Sequence, residues 1–169
     1  MNELIAHRPT RTIANVPDGM QPVVLARLIQ QRIETAPDDA ASIVFVARDG
    51  RRLQRMADIL VAMLPGHPVL TLPAWDCLPY DRVSPNNVTI AARMNTLAAL
   101  SGGSKGAVVL TTVNGLIQRL PPRDVVESMS FSAAAGLIVD SEKLIGWAAN
   151  NGYLRVATVR ESGEFAVRG

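Results

Sequence analysis

The turn before the first predicted helix is where a nucleotide-hydrolysing α/β domain would hold phosphate. Such domains use the pattern G-x-x-x-x-G-K-[ST], in which backbone N–H groups and one lysine point at phosphate oxygens. Here the turn contains Pro17, Asp18, Gly19 and Pro22, and no lysine or arginine lies between residues 13 and 26. The prolines remove amide donors, and Asp18 puts negative charge where phosphate would lie. The sequence therefore disfavours a nucleotide site in this degenerate loop, and no cofactor is expected.

Other kinds of catalysis also lack their residue sets. No adjacent Asp-Glu pair is present to hold the Mg²⁺ that a nucleotide hydrolase needs. His7 and His67 fall in a predicted tail and loop, where a surface histidine is more common than a base or a ligand. Cys77 is the single cysteine, so it forms no internal disulfide, and we expect a half-buried apolar residue. This segment is predicted to be neither an enzyme nor a metal protein.

Two groups of arginines could bind a partner. Arg51, Arg52 and Arg55 lie in the first turns of the second predicted helix, where positive charge opposes the helix dipole. A solvated face is the simpler interpretation, and contact with a partner or a DNA backbone is the alternative.

The second group lies near the end of the chain and consists of Arg155, Arg160 and Arg168. If residues 153–168 form a hairpin, the strand period of two puts Tyr153 and Arg155 on one face. Arginine beside tyrosine is typical of a protein interface. The alternative is that these arginines lie on the solvated side of a sheet.

Helical and strand patterns alternate in the first two thirds of the chain. Apolar residues three or four apart predict helices beginning near Pro22, after Asp49, and after Asn86 or Asn87. Three apolar runs typical of strands occur in the same region: 43–47, 69–72 and 107–112. The first run is unbroken, as in a parallel strand covered on both faces. Because parallel strands need helical crossovers, residues 10–121 are predicted to form a three-layer α/β domain with a parallel sheet.

A proline-rich connector, residues 72–85, interrupts this alternation. Its three prolines restrict their own φ angles and disfavour helix at the residues before them, which predicts a stiff extended segment. It contains Trp75 and Tyr80, in a chain with only 4% aromatic residues. We expect other groups to pack over both rings.

The pattern changes after the proline pair 121–122, where we predict a domain boundary. A helix capped by Asp140 or Ser141 follows. Two strands of an antiparallel hairpin are then predicted, at 153–159 and 164–168. Residues 122–169 are short for an independent core, so we interpret them as the first part of a small α+β domain in a longer protein.

Composition limits the class of protein without identifying it. The 169 residues are 48% hydrophobic and 19% charged, with a net charge of +2, so an ordinary core is expected and bulk charge does not indicate nucleic-acid binding. No apolar run reaches the ~18 residues of a membrane span, and no signal peptide is recognisable. A cytoplasmic location is therefore expected.

Two separate blocks of residues resemble one known family. The first consists of Leu72-Pro-x-Trp-x-x-Leu-Pro-Tyr-Asp81, Ser84-Pro85 and Arg93-Met94-x-x-Leu97, and the second of Gly152-Tyr-Leu-Arg-Val156 and Gly163-Glu-Phe-Ala-Val-Arg-Gly169. Both are similar to the N-terminal module of the bacterial transcription-repair coupling factors. That module is itself similar to the front end of the excision-repair protein UvrB. The resemblance covers roughly residues 10–169.

The resemblance implies a function in DNA repair. It implies a P-loop-like, UvrB-like domain whose phosphate loop has degenerated, followed by the start of a domain that recruits the damage sensor UvrA. By the same resemblance, Arg168 lies at the arginine of the docking motif, and Tyr153, Arg155 and Phe165 lie in the same second block. The parent would use ATP and Mg²⁺ for DNA translocation and would bind RNA polymerase and double-stranded DNA through later domains. The DNA-probing hairpin of UvrB is not expected at the proline-rich connector.

The leading hypothesis is therefore a non-catalytic module that recruits UvrA for transcription-coupled nucleotide-excision repair. Two alternatives stay open at this point. One is a divergent nucleotide-binding hydrolase, and the other is a stand-alone DNA-binding domain that uses Arg51, Arg52 and Arg55.

Overall fold

A computed structural model of the chain describes residues 12–35, 43–78, 82–104, 106–161 and 163–168. Five strands are present in this part: β1 (Ile43–Ala47), β2 (Val69–Leu72), β3 (Val108–Thr112), β4 (Leu154–Arg155) and β5 (Glu164–Phe165). A short 3-10 helix, Asp18–Met20, precedes six α-helices: α1 (Gln21–Thr35), α2 (Gly50–Met63), α3 (Asn87–Ser101), α4 (Val113–Ile117), α5 (Arg123–Ser128) and α6 (Ser141–Asn150). The predicted α/β class is confirmed.

The three longer strands form a parallel sheet in the order β1-β3-β2. Every residue of β3 is buried, as expected for the central strand. Helices α1 and α2 cover one face, where Ile29, Leu60 and Leu110 are fully buried. On the other face, α3 packs over β2 and β3.

The expectation that β1 is covered on both faces is wrong. Ile43, Phe45 and Ala47 face the α1–α2 layer, but the side chains of Val44 and Val46 are 55% and 39% exposed. The reason is that β1 is an edge strand and α3 covers only β2 and β3 on that side. An unbroken apolar run does not distinguish an edge strand from a central one.

Helix α5 lies just beyond the predicted domain boundary. Its Val126 joins the buried cluster that also contains Leu72, Leu97 and Val109. Helix α5 therefore packs on the face of the first sheet that α3 covers. The domain boundary at 121–122 stays a prediction.

The predicted antiparallel hairpin is wrong, because β4 and β5 pair in parallel. Leu154 N donates to Gly163 O at 2.8 Å, and Val156 N donates to Phe165 O at 2.9 Å. The carboxylate of Glu164 accepts from the backbone N–H groups of Arg160 and Glu161, at 2.7 and 3.1 Å. These bonds link the backbone just before β5 to the side chain of its first residue.

Several helix ends follow the capping residues of the sequence. The side chain of Asn86 accepts from Val88 N at 2.8 Å and begins α3, and Asp140 caps α6 in the same way. Asp49 begins α2 by accepting from Arg52 N at 2.8 Å. The predicted caps at these three helices are confirmed.

The cap at Asp49 predicts a pH-dependent contribution to stability. The hydrogen bond from Arg52 N, assisted by nearby Arg48, holds the pKa of the Asp49 carboxyl below its ordinary value of 3.8. Because the folded-state pKa is lowered, the contribution is present above pH 3.8 and disappears as the pH falls through the folded value. We expect Asp49→Ala to have a lower thermal midpoint than the wild type at pH 7, and the difference between the two midpoints to narrow as the pH falls through the folded value. Thermal melts by circular dichroism from neutral to acid pH check it, and a difference that does not narrow in acid would contradict it.

Candidate protein-docking site

The residues predicted to form a degenerate phosphate loop lie immediately before and in the first turn of α1. Asp18 is in the 3-10 helix immediately before α1. Its carboxylate accepts from the guanidinium of Arg52, and Gln21 Nε2 donates to it at 3.1 Å. Pro17 caps the 3-10 helix without a side-chain hydrogen bond, and Pro22 is buried in the first turn of α1. Gly19, the remaining residue of the predicted loop, is exposed.

A cavity of about 210 Å³ adjoins Asp18 and Pro22. It lies at the carboxyl end of β1, between the first turns of α1 and α2. Its polar lining consists of Asp18, Gln21, Arg48, Arg52 and Arg55, and Phe45 and Met56 are among its apolar residues.

A second cavity, of about 370 Å³, lies between α6 and β5; we call it the α6–β5 groove. Three of the four predicted docking residues, Tyr153, Phe165 and Arg168, line it. The remaining lining is mostly apolar and includes Leu144, Ile145, Trp147 and Val167. The structure thus brings together residues from the two segments of the second sequence block, 152–156 and 163–169.

The fourth predicted residue, Arg155, lies beside the groove but does not line it. Arg155 is exposed on β4 and is paired in register with Phe165 on β5. Neither Arg155 nor Arg168 has a carboxylate within 4 Å among the described residues. The nearby carboxylate of Glu164 accepts from turn N–H groups instead. Both guanidinium groups are consequently available to an external acceptor.

A row of three aromatic rings supports the groove from one side. The ring centroids of Phe131 and Trp147 are 5.5 Å apart, and those of Trp147 and Tyr153 are 5.6 Å apart. These tilted pairs fall in the range in which aromatic rings attract one another. The indole N–H of Trp147 is buried, and no group among the described residues accepts a hydrogen bond from it. The row restricts the positions that the Tyr153 side chain can adopt.

Sequence reasoning missed the role of Arg93, which is only 1% exposed. Its guanidinium carbon lies 4.3 Å from the centroid of Trp75, and its Nη1 donates to Pro73 O and to Gln118 Oε1, the latter at 3.2 Å. Gln118 Oε1 also accepts from Trp75 N at 3.0 Å. We call Arg93, Trp75, Gln118 and Pro73 the connector anchor. One signal was available in the sequence, because Arg93 is three residues after Ile90 and four before Leu97, on the apolar stripe of α3.

The expected packing over Trp75 is thus confirmed, with Arg93 as the group that packs there. Tyr80 and Asp81 lie outside the described residues. A further contact holds the connector near α3, where the Asp76 carboxylate accepts from Asn86 N at 3.2 Å.

The remaining candidates for chemistry are separate from one another. Cys77 is a half-buried free thiol, His67 is half-buried in the turn after α2, and His7 lies outside the described residues. No group of three or more metal-ligating side chains occurs in the described ranges. Within those ranges, no helix is long and apolar enough to cross a membrane.

Comparison with known proteins identifies relatives. No protein-family model matches the chain. The chain is 31% identical over 136 residues to the transcription-repair-coupling factor of Escherichia coli K12, a match that covers 80% of this chain and 12% of that protein. It is 30% identical over 161 residues to the factor of Haemophilus influenzae, covering 94% of this chain and 13% of the relative. The factor of Mycobacterium bovis is 33% identical over 125 residues, or 68% of this chain and 10% of the relative. The chain spans about an eighth of the length of the first two of these relatives. Over that length, it belongs to the transcription-repair-coupling factor family.

Proposed function

We propose that this segment is a non-catalytic docking module that recruits UvrA to a transcription-repair coupling factor. The single observation that carries the proposal is the convergence of Tyr153, Phe165 and Arg168 on the α6–β5 groove. These residues belong to the second block, which resembles the UvrA-docking domain of the family. We also propose that the domain containing the first sheet is related to the P-loop-like domain of UvrB.

The chemistry of the groove suits a protein partner. Aromatic residues and arginine are enriched at the centres of protein interfaces, where they contribute most of the binding energy. The groove combines an apolar floor with Arg168 at its edge, and Arg155 lies on the neighbouring strand. Because neither arginine is neutralised within the described residues, a partner carboxylate could form a charge-assisted hydrogen bond with either one.

The degenerate loop supports a role without nucleotide. The Asp18 carboxylate is hydrogen-bonded to Arg52, so the guanidinium that is best placed to hold a phosphate already has an anionic partner. Under this proposal, ATP hydrolysis, DNA translocation and RNA polymerase binding belong to other parts of the cytoplasmic parent. We expect no Mg²⁺-dependent ATP binding by the 169-residue chain in isothermal titration, and tight binding would favour the nucleotide-hydrolase alternative.

The docking proposal predicts a loss of UvrA binding on substitution of the groove. We expect Phe165→Ala and Arg168→Ala each to weaken binding by about tenfold or more, which corresponds to about 1.4 kcal/mol or more. Removing Phe165 takes away apolar contact area, and removing Arg168 takes away a charged donor. Surface plasmon resonance with immobilised UvrA measures both effects.

Arg119→Ala is the matched control for Arg168→Ala. Arg119 is also exposed and makes no ion pair within the described residues, but it does not line the groove. We expect this variant to bind UvrA as the wild type does. Equal binding by Arg168→Ala and the wild type would remove Arg168 from the interface, and equal binding by all variants would contradict docking at the groove.

A further inference from the structure

Two Asn-Gly pairs occur in the chain, Asn114-Gly115 in α4 and Asn151-Gly152 immediately after α6. In such a pair, the backbone nitrogen of the glycine can attack Cγ, the side-chain carbonyl carbon of the asparagine. Glycine favours this attack because it has no side chain to obstruct the approach and because its backbone rotates freely. The sequence therefore makes both pairs candidates for the same reaction, and their surroundings in the fold distinguish them.

The Asn114-Gly115 pair is held by its neighbours. Gly115 is buried, and its backbone N–H donates to Thr112 Oγ1 at 3.1 Å. A Cβ atom at Gly115 would lie 3.0 Å from Leu72 O and 3.3 Å from Ala74 N, so another stretch of backbone packs directly against this glycine. The attack requires rotation of the peptide plane between Asn114 and Gly115. That rotation would break the Thr112 cap and push against the packed backbone, so the fold holds this nitrogen away from reaction.

The Asn151-Gly152 pair has more room. Gly152 is exposed, and a Cβ atom placed on it would have no heavy atom within 4 Å. Its N–H donates to Ala149 O at 3.4 Å, which is longer than the usual distance of about 2.9–3.0 Å. The Asn151 side chain has one bond of ordinary length, from Nδ2 to Trp147 O at 2.9 Å. Rotation of this peptide plane therefore breaks a long hydrogen bond at an exposed turn, and the glycine meets no packed backbone.

We propose that Asn151 is a site of spontaneous deamidation in the folded chain, and that the fold protects Asn114 from the same reaction. Gly152 N forms a bond to Cγ of Asn151, and the Cγ–Nδ2 bond breaks. The proton lost by Gly152 N passes through solvent to the departing nitrogen, which leaves as ammonia. Water then opens the resulting five-membered succinimide ring at either of its carbonyl carbons and gives aspartate or isoaspartate. The reaction needs only water, and it does not depend on the docking proposal.

Deamidation would replace a hydrogen-bond donor with a negative charge at the C-terminal end of α6. The bond from Asn151 Nδ2 to Trp147 O would be lost. Negative charge is also unfavourable beside the free carbonyl groups at the end of a helix. Trp147 is the middle ring of the aromatic row that supports the α6–β5 groove. The modified chain is therefore expected to be less stable where α6 meets this row.

The test is peptide mapping by mass spectrometry after incubation of the 169-residue chain in mildly alkaline buffer, with and without denaturing urea. Trypsin cleaves after lysine and arginine and releases the two sites in separate peptides, residues 106–119 and 144–155. In the native chain we expect Asn151 to convert to the acid about tenfold faster than Asn114, or more. In urea we expect the two rates to lie within about threefold of each other, because unfolding removes the protection of Asn114.

Three results would overturn the proposal. The first is equal conversion of the two sites in the native chain, or faster conversion of Asn114. The second is conversion at Asn150, which lies in the same peptide as Asn151 and is distinguished from it by fragmentation of the peptide. The third is an unchanged Asn151 in the native chain after the time in which the urea-treated chain has converted.

Aspartate substitutions measure the effect of the modification on stability. We expect Asn151→Asp to lower the thermal midpoint by about 2–4 °C, because it removes the donor to Trp147 O and adds charge at the end of α6. Asn114→Asp is the matched control, since Asn114 is exposed and its side chain makes no hydrogen bond within the described residues. We expect this control to stay within about 1 °C of the wild type. Equal shifts in the two variants would overturn the expected effect on α6.

Discussion

Replacing Arg93 with alanine should lower the free energy of unfolding by about 3–4 kcal/mol. The side chain is only 1% exposed and packs under the Trp75 ring, so truncation leaves a cavity between α3 and the start of the connector. It also leaves Pro73 O without its charged donor and removes one of the two donors to Gln118 Oε1. Urea unfolding followed by far-ultraviolet circular dichroism measures the loss.

Two further variants identify the cause of that loss. Arg93→Met keeps most of the packing volume but donates no hydrogen bond, so we expect a smaller destabilisation of about 1–3 kcal/mol from the unsatisfied acceptors. Arg119→Ala, at an exposed position, should change stability by less than about 0.5 kcal/mol. A loss below about 1 kcal/mol for Arg93→Ala would show that the connector anchor does not stabilise the domain. If Arg93→Met were as stable as the wild type, packing alone would account for the effect.

The second large effect is expected at Gly115, in α4. A Cβ atom at this position would lie 2.6 Å from Thr111 Oγ1, 3.0 Å from Leu72 O and 3.3 Å from Ala74 N. Two of these neighbours are backbone atoms, and the Thr111 hydroxyl is held because it donates to Leu72 O at 2.8 Å. We therefore expect Gly115→Ala to destabilise the fold by about 1–3 kcal/mol, because the backbone must move to admit the methyl group. Urea unfolding again measures it.

Gly146→Ala is the matched control, because it makes the same substitution in a helix where space is available. A Cβ atom at Gly146, in α6, would have no heavy atom within 4 Å. The higher helix propensity of alanine should then raise stability by up to about 1 kcal/mol. Opposite signs for the two substitutions are the expected result, and equal changes would contradict a close approach at Gly115.

Both large effects concern the same place, where the connector leaves β2. Arg93 reaches this place from α3, Thr111 from β3 and Gly115 from α4. Thr96 also donates to Thr71 O at 2.6 Å. The conspicuous motif beginning at Leu72 is therefore held by three elements that are distant from it in sequence.

The local features of the fold could be predicted from the sequence because their causes are local. An asparagine or aspartate before an apolar helix pattern satisfies free N–H groups within its own first turn, so the caps at Asp49, Asn86 and Asp140 were recognisable. Val69–Leu72 was recognisable as an apolar run with β-branched residues between turn signals. The residues of the degenerate loop, Asp18 above all, likewise disfavoured phosphate by their own chemistry.

Pairing and exposure were decided by contacts between distant residues. The exposure of β1 depends on its edge position in the order β1-β3-β2 and on which strands α3 covers, and the parallel pairing of β4 with β5 consists of backbone hydrogen bonds between residues about ten positions apart. Residue types alone do not determine which distant segments of the chain come into contact.

The sequence by itself determined the alternation of strands and helices, the residues Pro17 and Asp18 that disfavour a phosphate cradle, and the two blocks that resemble one family. Only the tertiary structure decided that Arg93 is buried beneath Trp75, that Asp18 accepts from Arg52, and that Tyr153, Phe165 and Arg168 line one groove. The physical reason is range: propensity, capping and charge act within a few residues, whereas burial and hydrogen bonding across elements depend on how the whole chain packs.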